Sequence, residues 1–415
     1  MSLQEFRKVG HAPTLASAFL YFDVSFMVWV ILGPLGPFLG ESLKLSASEK
    51  GFLTAVPLLG GSFFRILLGW MTERIGGRRT GLIGLSLTLL PLLAAWQWVS
   101  GFTGFLGIGL LFGVAGASFA AALPLASGWY PPEYQGLAMG IAGAGNSGTL
   151  LATLFAPRLA QMFGWHSVFG FAMIPVSLVW LFFLLMAKDA PAKGPVTRKR
   201  WRDYTTLFAE GDTGWFCFIY SITFGGFVGL SSYLSIFYHD QYGLTKVQAG
   251  DLTTLVVVFG SFLRPVGGML SDRIGGVRML QTLLAGVALC LALIGVLPPV
   301  QMAVLLLVFT MAMLGMGNGA VFQLVPQRFP QRVGMLTGIV GAAGGLGGFL
   351  LPSLLGIIKQ WTGSFGPGFT LLAAVAGCGW VALLCLRRSW RRTWPAASAL
   401  RAGLAPAEVA AWAGD

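Results

Sequence analysis

An arginine in the middle of an apolar run constrains this chain more than any other feature. Arg65 lies within LLGGSFFRILLGWMTERIGGRR (residues 58–79), and a second copy, VVFGSFLRPVGGMLSDRIGGVR (residues 257–278), places Arg264 at the matching position without a gap. A charge at the centre of a membrane helix costs roughly 2.5–3.5 kcal/mol on insertion scales, so such a residue is expected to have a function. The repeat therefore predicts two related halves, each directing one cation toward a shared site.

The composition is that of a membrane protein. Of the 415 residues, 55% are hydrophobic and only 10% are charged, whereas a soluble domain carries about 25% charged residues. The net charge of +12 does not indicate nucleic acid, because the basic residues lie in short loops. The four cysteines lie within apolar runs and form no metal-binding pattern. Since the sequence also shows no nucleophile–base pair and no phosphate-binding loop, we predict no enzymatic activity, metal or cofactor.

Twelve apolar runs are long enough to cross a bilayer, which needs about 20 residues. Because one long basic loop separates six runs from six, we predict an all-α polytopic membrane protein built from two six-helix pseudo-repeats. Its predicted parts are an N-terminal bundle (1–187), a linker (188–212), a C-terminal bundle (213–387) and a tail (388–415). The predicted spans are 13–36, 50–72, 80–98, 102–128, 135–157, 166–187, 213–238, 248–271, 279–297, 300–325, 333–358 and 366–386.

Lysine and arginine are distributed unevenly between the two sides of the predicted membrane. The side with the N-terminus, the linker and the tail holds 20 of the 27 basic residues, and the other side holds five. Cytoplasmic loops are enriched in Lys and Arg, so we predict that both termini are cytoplasmic. We further predict that the protein is a monomer in the bilayer of the cell membrane.

The neighbours of the two arginines favour an anion-binding role. Gly69 follows Arg65 by four positions and Gly268 follows Arg264 by four, so each pair shares one helix face. Glycine lets a neighbouring helix approach closely and leaves room for a guanidinium, whose planar set of donors suits a small oxyanion. The predicted spans contain one clear acid, Asp23, so at least one arginine needs another anion as its partner.

Three further spans carry groups that complement such a site. Asn146 is a polar side chain within the glycine-rich run MGIAGAGNSGTLL (residues 139–151). Tyr220 and Phe224 share one face of another span, and Phe119 lies among small residues in a third. Aromatic rings in membrane spans commonly serve packing alone, but near two arginines they can also sandwich a planar anion while its edges accept hydrogen bonds.

The loops that follow the two arginines carry a repeated pattern of their own, GWMTERIGGRR (residues 69–79) and GMLSDRIGGVR (residues 268–278). An acid, an arginine and then glycines resemble the cytoplasmic loop signature of the major facilitator superfamily, whose two six-helix halves rock about a central site. The resemblance implies that Glu73 and Asp272 are gating ion-pair residues at the cytoplasmic ends of helices. The motif residues are Gly69, Glu73, Arg74, Gly268, Asp272 and Arg273.

Over essentially all twelve spans, the sequence resembles the nitrate/nitrite porter family of that superfamily. The resemblance rests on the paired arginines, on the glycine-rich runs 139–151 and 334–352, and on GMGNGAVFQLVP (residues 315–326). It implies a carrier of nitrate, and also of nitrite, whose two arginines bind the anion. One departure is Gly341, which stands where some members carry a hydroxyl residue. The implied binding residues are Arg65, Arg264, Asn146, Tyr220, Phe224 and Phe119.

The role of Asp23 separates two modes of transport. A carboxylate in a membrane span marks an ion or proton pathway, and we favour this interpretation, which makes the protein a nitrate/proton symporter. Alternatively, Asp23 is a structural partner of an arginine or of a helix terminus, and the protein is a nitrate/nitrite antiporter. A third alternative keeps the fold and transports another small anion. A receptor is disfavoured because no stretch is long enough for a soluble signalling domain.

Overall fold

Helices make up nearly all of the structure, a computed structural model that describes residues 9–191, 210–329 and 333–404. Within this part of the chain, eleven helical stretches are long and apolar enough to cross a membrane, and a twelfth, α5, is interrupted. In chain order the helices are α1 (Ala12–Trp29 and Leu32–Ser42), α2 (Ala47–Ile75), α3 (Gly77–Gln97), α4 (Phe102–Gly116 and Phe119–Ser127), α5 (Pro132–Gly143, the 3₁₀ turn Ala144–Ser147, and Gly148–Phe163), α6 (Trp165–Met186), α7 (Gly211–Tyr242), α8 (Lys246–Ile274), α9 (Gly276–Gly295), α10 (Val300–Arg328), α11 (Val333–Thr362), α12 (Gly366–Thr393) and α13 (Ala396–Arg401).

The two copies of the arginine repeat fold alike. Each forms one long helix, α2 or α8, and each begins with a capping box, at Ser46 and at Thr245. Each helix also ends at a glycine with positive φ, 87° at Gly76 and 89° at Gly275, a conformation that favours glycine. The shared start and stop signals place the two arginines at equivalent positions of the two halves.

The glycine-rich α5 is not the continuous span predicted at 135–157. Its middle, Ala144–Ser147, is a 3₁₀ turn between two shorter helices, and neither of these reaches the roughly 20 residues needed to cross a bilayer alone. Asparagine and serine in the turn compete with helical hydrogen bonding. Glycine is required because α1 packs closely here: a Cβ on Gly148 would lie 1.8 Å from the carbonyl oxygen of Asp23. The interruption therefore faces the acidic position of α1.

Ion pairs join the two halves at one end of the bundle, which we call the outer end. The loops after α1, α5, α7 and α11 lie here, on the side that the sequence predicts to be outside the cell. The pairs connect α1, α2 and α5 with α7 and α8, so they hold the halves together. They are Lys50–Asp240 (2.7 Å between Nζ and Oδ2), Arg158–Asp251 (2.6 Å between Nη1 and Oδ1) and Lys246–Glu41.

One of these pairs corrects a premise of the sequence analysis. Asp251 lies within the span predicted at 248–271, so Asp23 is not the only acid in the predicted spans. Asp251 pairs with Arg158, and their side chains are 41% and 40% exposed. This acid therefore meets water at the outer end and is already paired there.

The last helices extend beyond the predicted bundle boundary. The linker predicted at 188–212 lies mostly outside the described residues, while α12 continues past 387 to Thr393. After α13, the backbone N–H of Val277 donates a hydrogen bond to the carbonyl of Ala402 (3.1 Å). The start of the predicted tail is therefore docked on the loop between α8 and α9.

Candidate anion-binding site

Arg65 is buried at the centre of the bundle and contacts both halves. Its side chain is 2% exposed, and its two terminal nitrogens donate to the carbonyls of Gly341 in α11 and Gly116 in α4, the latter at 2.9 Å. The Gly116 carbonyl is available because α4 is interrupted there, and the N–H of Ala120 donates to Ala117 instead. The interruption of α4 thus supplies the carbonyl that positions the guanidinium of Arg65 in α2.

Phe119 is shared by the two arginines. Its ring centroid lies 5.5 Å from Cζ of Arg65 and 5.8 Å from Cζ of Arg264. Trp29 and Phe224 also flank Arg65, with centroids 5.6 Å and 5.5 Å from its Cζ. A guanidinium within about 6 Å of an aromatic centroid is attracted by the ring quadrupole. Aromatic rings from α1, α4 and α7 therefore surround Arg65.

Arg264 approaches the same aromatic cluster from the second half. Its Cζ lies 5.8 Å from the centroid of Phe322, a ring that also packs edge-on against Tyr220 with 4.9 Å between centroids. The Tyr220 hydroxyl interacts with both arginines. The structure thus brings the two arginines of the repeat to the same aromatic ring, that of Phe119, and their role in binding an anion stays a prediction.

The predicted aromatic residues line this site. Tyr220 and Phe224 stack nearly parallel, with 5.1 Å between centroids and 3° between ring planes, and Phe119 contacts both arginines. Their role in binding an anion stays a prediction, but their positions agree with it.

Two aromatic residues of the cluster, Trp29 and Phe322, were not predicted. Phe322 lies within the quoted run 315–326, so its sequence signal was present. Trp29 is fixed by its indole N–H, which donates to the carbonyl of Pro57 (2.7 Å), and it packs on Gly61, where a Cβ would lie 2.6 Å from the indole. A glycine in a membrane span permits the close approach of a neighbour but does not identify the residue that approaches.

Both arginines keep donors without a partner. Nε of Arg65 and Nη1 of Arg264 are buried and have no hydrogen-bond partner among the described residues. None of the ion pairs in that part of the chain includes either arginine. A buried donor left unpaired costs about 1–3 kcal/mol, and a buried unpaired charge costs more. Within the part of the chain that the structure describes, the charge of the two arginines is therefore not neutralised by an acidic side chain. The described residues contain no group of His, Cys, Asp and Glu that could hold a metal ion.

Asn146 lies in the interruption of α5 and is fully buried. Its amide nitrogen is best oriented toward the carbonyls of Gly143 (3.3 Å) and Ala144 (3.2 Å), so it donates within its own turn. Among the described residues, no hydrogen bond connects it with either arginine. Its predicted part in anion binding stays a prediction that this structure does not support by a contact.

Asp23 lies beside the same interruption and is half-buried. Its Oδ1 accepts a hydrogen bond from the hydroxyl of Ser147 (2.6 Å). In the part of the chain that the structure describes, it forms no ion pair with Arg65 or Arg264. The partner of the Asp23 carboxyl group is therefore the hydroxyl of Ser147. The antiporter alternative had named an arginine or a helix terminus as this partner.

The loop motif residues lie at the opposite end from the ion pairs. Glu73 and Asp272 are exposed near the ends of α2 and α8. Arg74 stacks on Trp70, with 4.2 Å between its Cζ and the ring centroid. These positions agree with helix-terminal gating residues, and the gating role itself stays a prediction.

Comparisons with known proteins point to one family. A family model described as Major Facilitator Superfamily matches residues 17–352 and, in a second match, 247–412. The "Nitrite extrusion protein" of Bacillus subtilis is 33% identical over 362 residues, which cover 86% of this chain and 90% of that protein. The "Probable nitrate/nitrite transporter NarK2" of Mycobacterium tuberculosis is 34% identical over 382 residues, covering 90% and 96%. The "Probable nitrate/nitrite antiporter NarK1" of Thermus thermophilus is 31% identical over 403 residues, covering 89% and 90%.

Solved structures support the same architecture. A D-xylose-proton symporter superposes with a TM-score of 0.73 at 20% identity, covering 90% of this chain and 96% of its own. A bacterial homolog of the human lysosomal transporter Spinster, in an inward-facing and occupied conformation, gives 0.69 at 18% identity, covering 92% and 98%. At such identities the likeness concerns the fold and not the cargo.

Proposed function

The chain belongs to the major facilitator superfamily and, within it, to the nitrate/nitrite porter family that its sequence resembles, and we propose that it carries nitrate, with nitrite as a second cargo, by alternating access. The twelve-span architecture predicted from the sequence agrees with this family, with α5 counted as the interrupted span. Membership in this family also indicates a transporter rather than an enzyme.

The observation that carries the proposal is the pair of arginines that each keep a buried donor without a partner among the described residues. Arg65 comes from the first half and Arg264 from the second, and Phe119 lies against both. An anion held between them is bound by both halves at once, as alternating access requires. Nitrate is small, planar and singly charged, so guanidinium groups can bind its edges while aromatic rings cover its faces.

The ion pairs of the outer end indicate on which side of the membrane the carrier is closed in this structure. They hold the two halves together on the side predicted to be extracellular. For nitrate to enter from that side, pairs such as Lys50–Asp240 must separate. An exposed pair such as Arg158–Asp251 contributes only about 0–1 kcal/mol. The Lys50–Asp240 pair is more buried, with side chains 17% and 19% exposed, and therefore holds the outer end more firmly. We propose that the carrier lies in the cell membrane as a monomer with both termini in the cytoplasm.

Coupling to protons is the finer part of the proposal, and Asp23 is its candidate. The carboxyl group lies next to the broken α5 and contacts Ser147. The decisive measurement is nitrate uptake into proteoliposomes, with and without an inward proton gradient, for the native chain and Asp23→Asn. We expect the gradient to drive accumulation in the native protein and not in the variant.

Ser147→Ala is the matched control, because it removes the hydrogen bond but keeps the carboxyl group. It should retain gradient-driven uptake. Uptake that ignores the gradient but requires internal nitrite would instead identify an antiporter. If no nitrate moves under either condition, the cargo is wrong and another small anion must be sought by competition with formate or bicarbonate.

A further inference from the structure

A cluster of arginines lies where α12 leaves the predicted membrane, far along the chain from the anion site. Leu384, Arg387, Arg388 and Arg391 occupy positions i, i+3, i+4 and i+7 of α12, so they share one face of the helix. Together with Cys385 they line a cavity of about 470 Å³. This cavity, the α12 cavity, therefore has an aliphatic side and a cationic side.

Among the described residues, no ion pair includes Arg387, Arg388 or Arg391. Nε of Arg387 is buried and has no hydrogen-bond partner among the described residues. Arg387 is also close enough to Arg391 and to Arg278 of α9 to be repelled by both. Arg391 donates through Nε to the carbonyl of Leu404, which is a neutral acceptor. Clustered guanidinium groups with an unpartnered buried donor favour an external anion.

The same face of α12 continues toward the bilayer centre as an apolar stripe. Trp380, Val381 and Leu384 are 38%, 51% and 41% exposed, and their spacing continues that of the arginines. In a membrane helix, exposed apolar side chains contact acyl chains. A free inorganic anion would leave this stripe uncovered, whereas an anionic lipid matches both parts of the surface.

We propose that the α12 cavity binds an anionic phospholipid. The phosphate of the headgroup lies between Arg387, Arg388 and Arg391, and the acyl chains lie along Trp380 and Leu384. Guanidinium groups bind phosphate oxygens in a bidentate manner, and clusters of basic residues at the cytoplasmic end of a membrane helix attract anionic headgroups. Ordinary enrichment of basic residues in cytoplasmic loops requires neither the cavity nor the apolar stripe.

The test compares lipids that differ only in the headgroup. Binding of phosphatidylglycerol and phosphatidylcholine with identical acyl chains is measured on the purified full-length protein by native mass spectrometry. We expect the native protein to prefer phosphatidylglycerol. Each arginine at a membrane surface contributes about fivefold in affinity, so Arg387→Gln with Arg388→Gln should weaken phosphatidylglycerol binding about 25-fold. Phosphatidylcholine binding should not change.

The matched control is Arg79→Gln, which removes an exposed arginine on the same side of the other half. An equal loss of phosphatidylglycerol binding in this control would overturn the proposal in favour of general surface charge. Displacement of the lipid by inorganic phosphate at equal concentration would also overturn it, because the site would then take a free anion. The Arg387→Lys and Arg388→Lys pair keeps the charge but loses the bidentate contacts, so its phosphatidylglycerol affinity should lie between that of the native protein and that of the glutamine pair. This intermediate affinity separates loss of the site from misfolding.

Discussion

Replacing Arg264 with lysine tests planar recognition with little structural disturbance. Arg264 has a buried unpartnered Nη1, and among the described residues its guanidinium donates no hydrogen bond to a backbone carbonyl, in contrast to that of Arg65. Lysine keeps the positive charge near Phe119 and Phe322 but loses the planar fork of donors. We therefore expect Arg264→Lys to fold normally and to bind nitrate more weakly.

The expected loss corresponds to one hydrogen bond. A hydrogen bond to a charged group contributes about 1.5–3 kcal/mol, and about 1.4 kcal/mol corresponds to tenfold in affinity. Losing one of the two bonds that the fork offers, at about 2 kcal/mol, raises the dissociation constant for nitrate roughly 30-fold. Isothermal titration calorimetry measures this change, and the half-saturation of uptake into proteoliposomes should rise with it.

Two further variants control this experiment. Arg158→Lys changes an exposed arginine at the outer end and should leave nitrate affinity unchanged. Arg65→Lys should lower both affinity and thermal stability, because Arg65 also binds Gly116 and Gly341. If Arg264→Lys binds nitrate within about threefold of the native protein, a difference of roughly 0.7 kcal/mol, planar recognition by this arginine is refuted.

Two other predictions concern the site and the outer end. A Cβ on Gly341 would lie 3.2 Å from both Cδ and Nη1 of Arg65. Gly341→Ala should therefore shift the guanidinium and weaken nitrate binding about fivefold, an overpacking effect of about 1 kcal/mol. An unchanged affinity in calorimetry would show that the site adapts to the added methyl group. Lys50→Asp should raise the population with an open outer end by up to about fivefold. The measurement is the rate at which an introduced cysteine is labelled from outside, and adding Asp240→Lys should reverse the effect.

The arginine pair could be predicted from the sequence because its signal is local. A gap-free repeat and a charge within an apolar run depend on spacing alone, and α2 and α8 carry them at equivalent positions. Phe119, Tyr220 and Phe224 were placed by resemblance, and the structure brings them to the arginines. Trp29 was missed because its approach to Arg65 depends on how α1 packs across α2, which no local pattern records.

The interruption of α5 could not be predicted for a different reason. Glycine-rich runs are equally compatible with a continuous, closely packed span and with a broken one. The outcome depends on the backbone of α1 at Asp23, which leaves no space for a side chain at Gly148. Asn146 consequently donates within its own turn, and Asp23 meets Ser147. Asp251 could be located from the sequence, since it lies within the predicted span 248–271, but its pairing with Arg158 depends on how the two halves meet.

The two bonds of Arg65 affect how readily an empty carrier can reset. Gly116 belongs to the first half and Gly341 to the second, so a single guanidinium cross-links the moving parts. Separating α2 from α11 breaks the bond to Gly341, and we expect a nitrate bound as proposed to supply a replacement acceptor that the empty site lacks. The conformational change of the empty carrier therefore meets a barrier that the carrier with bound nitrate avoids. In a symporter, the slow return of the empty carrier limits turnover. In an antiporter, the same barrier prevents the empty carrier from changing conformation without a bound anion.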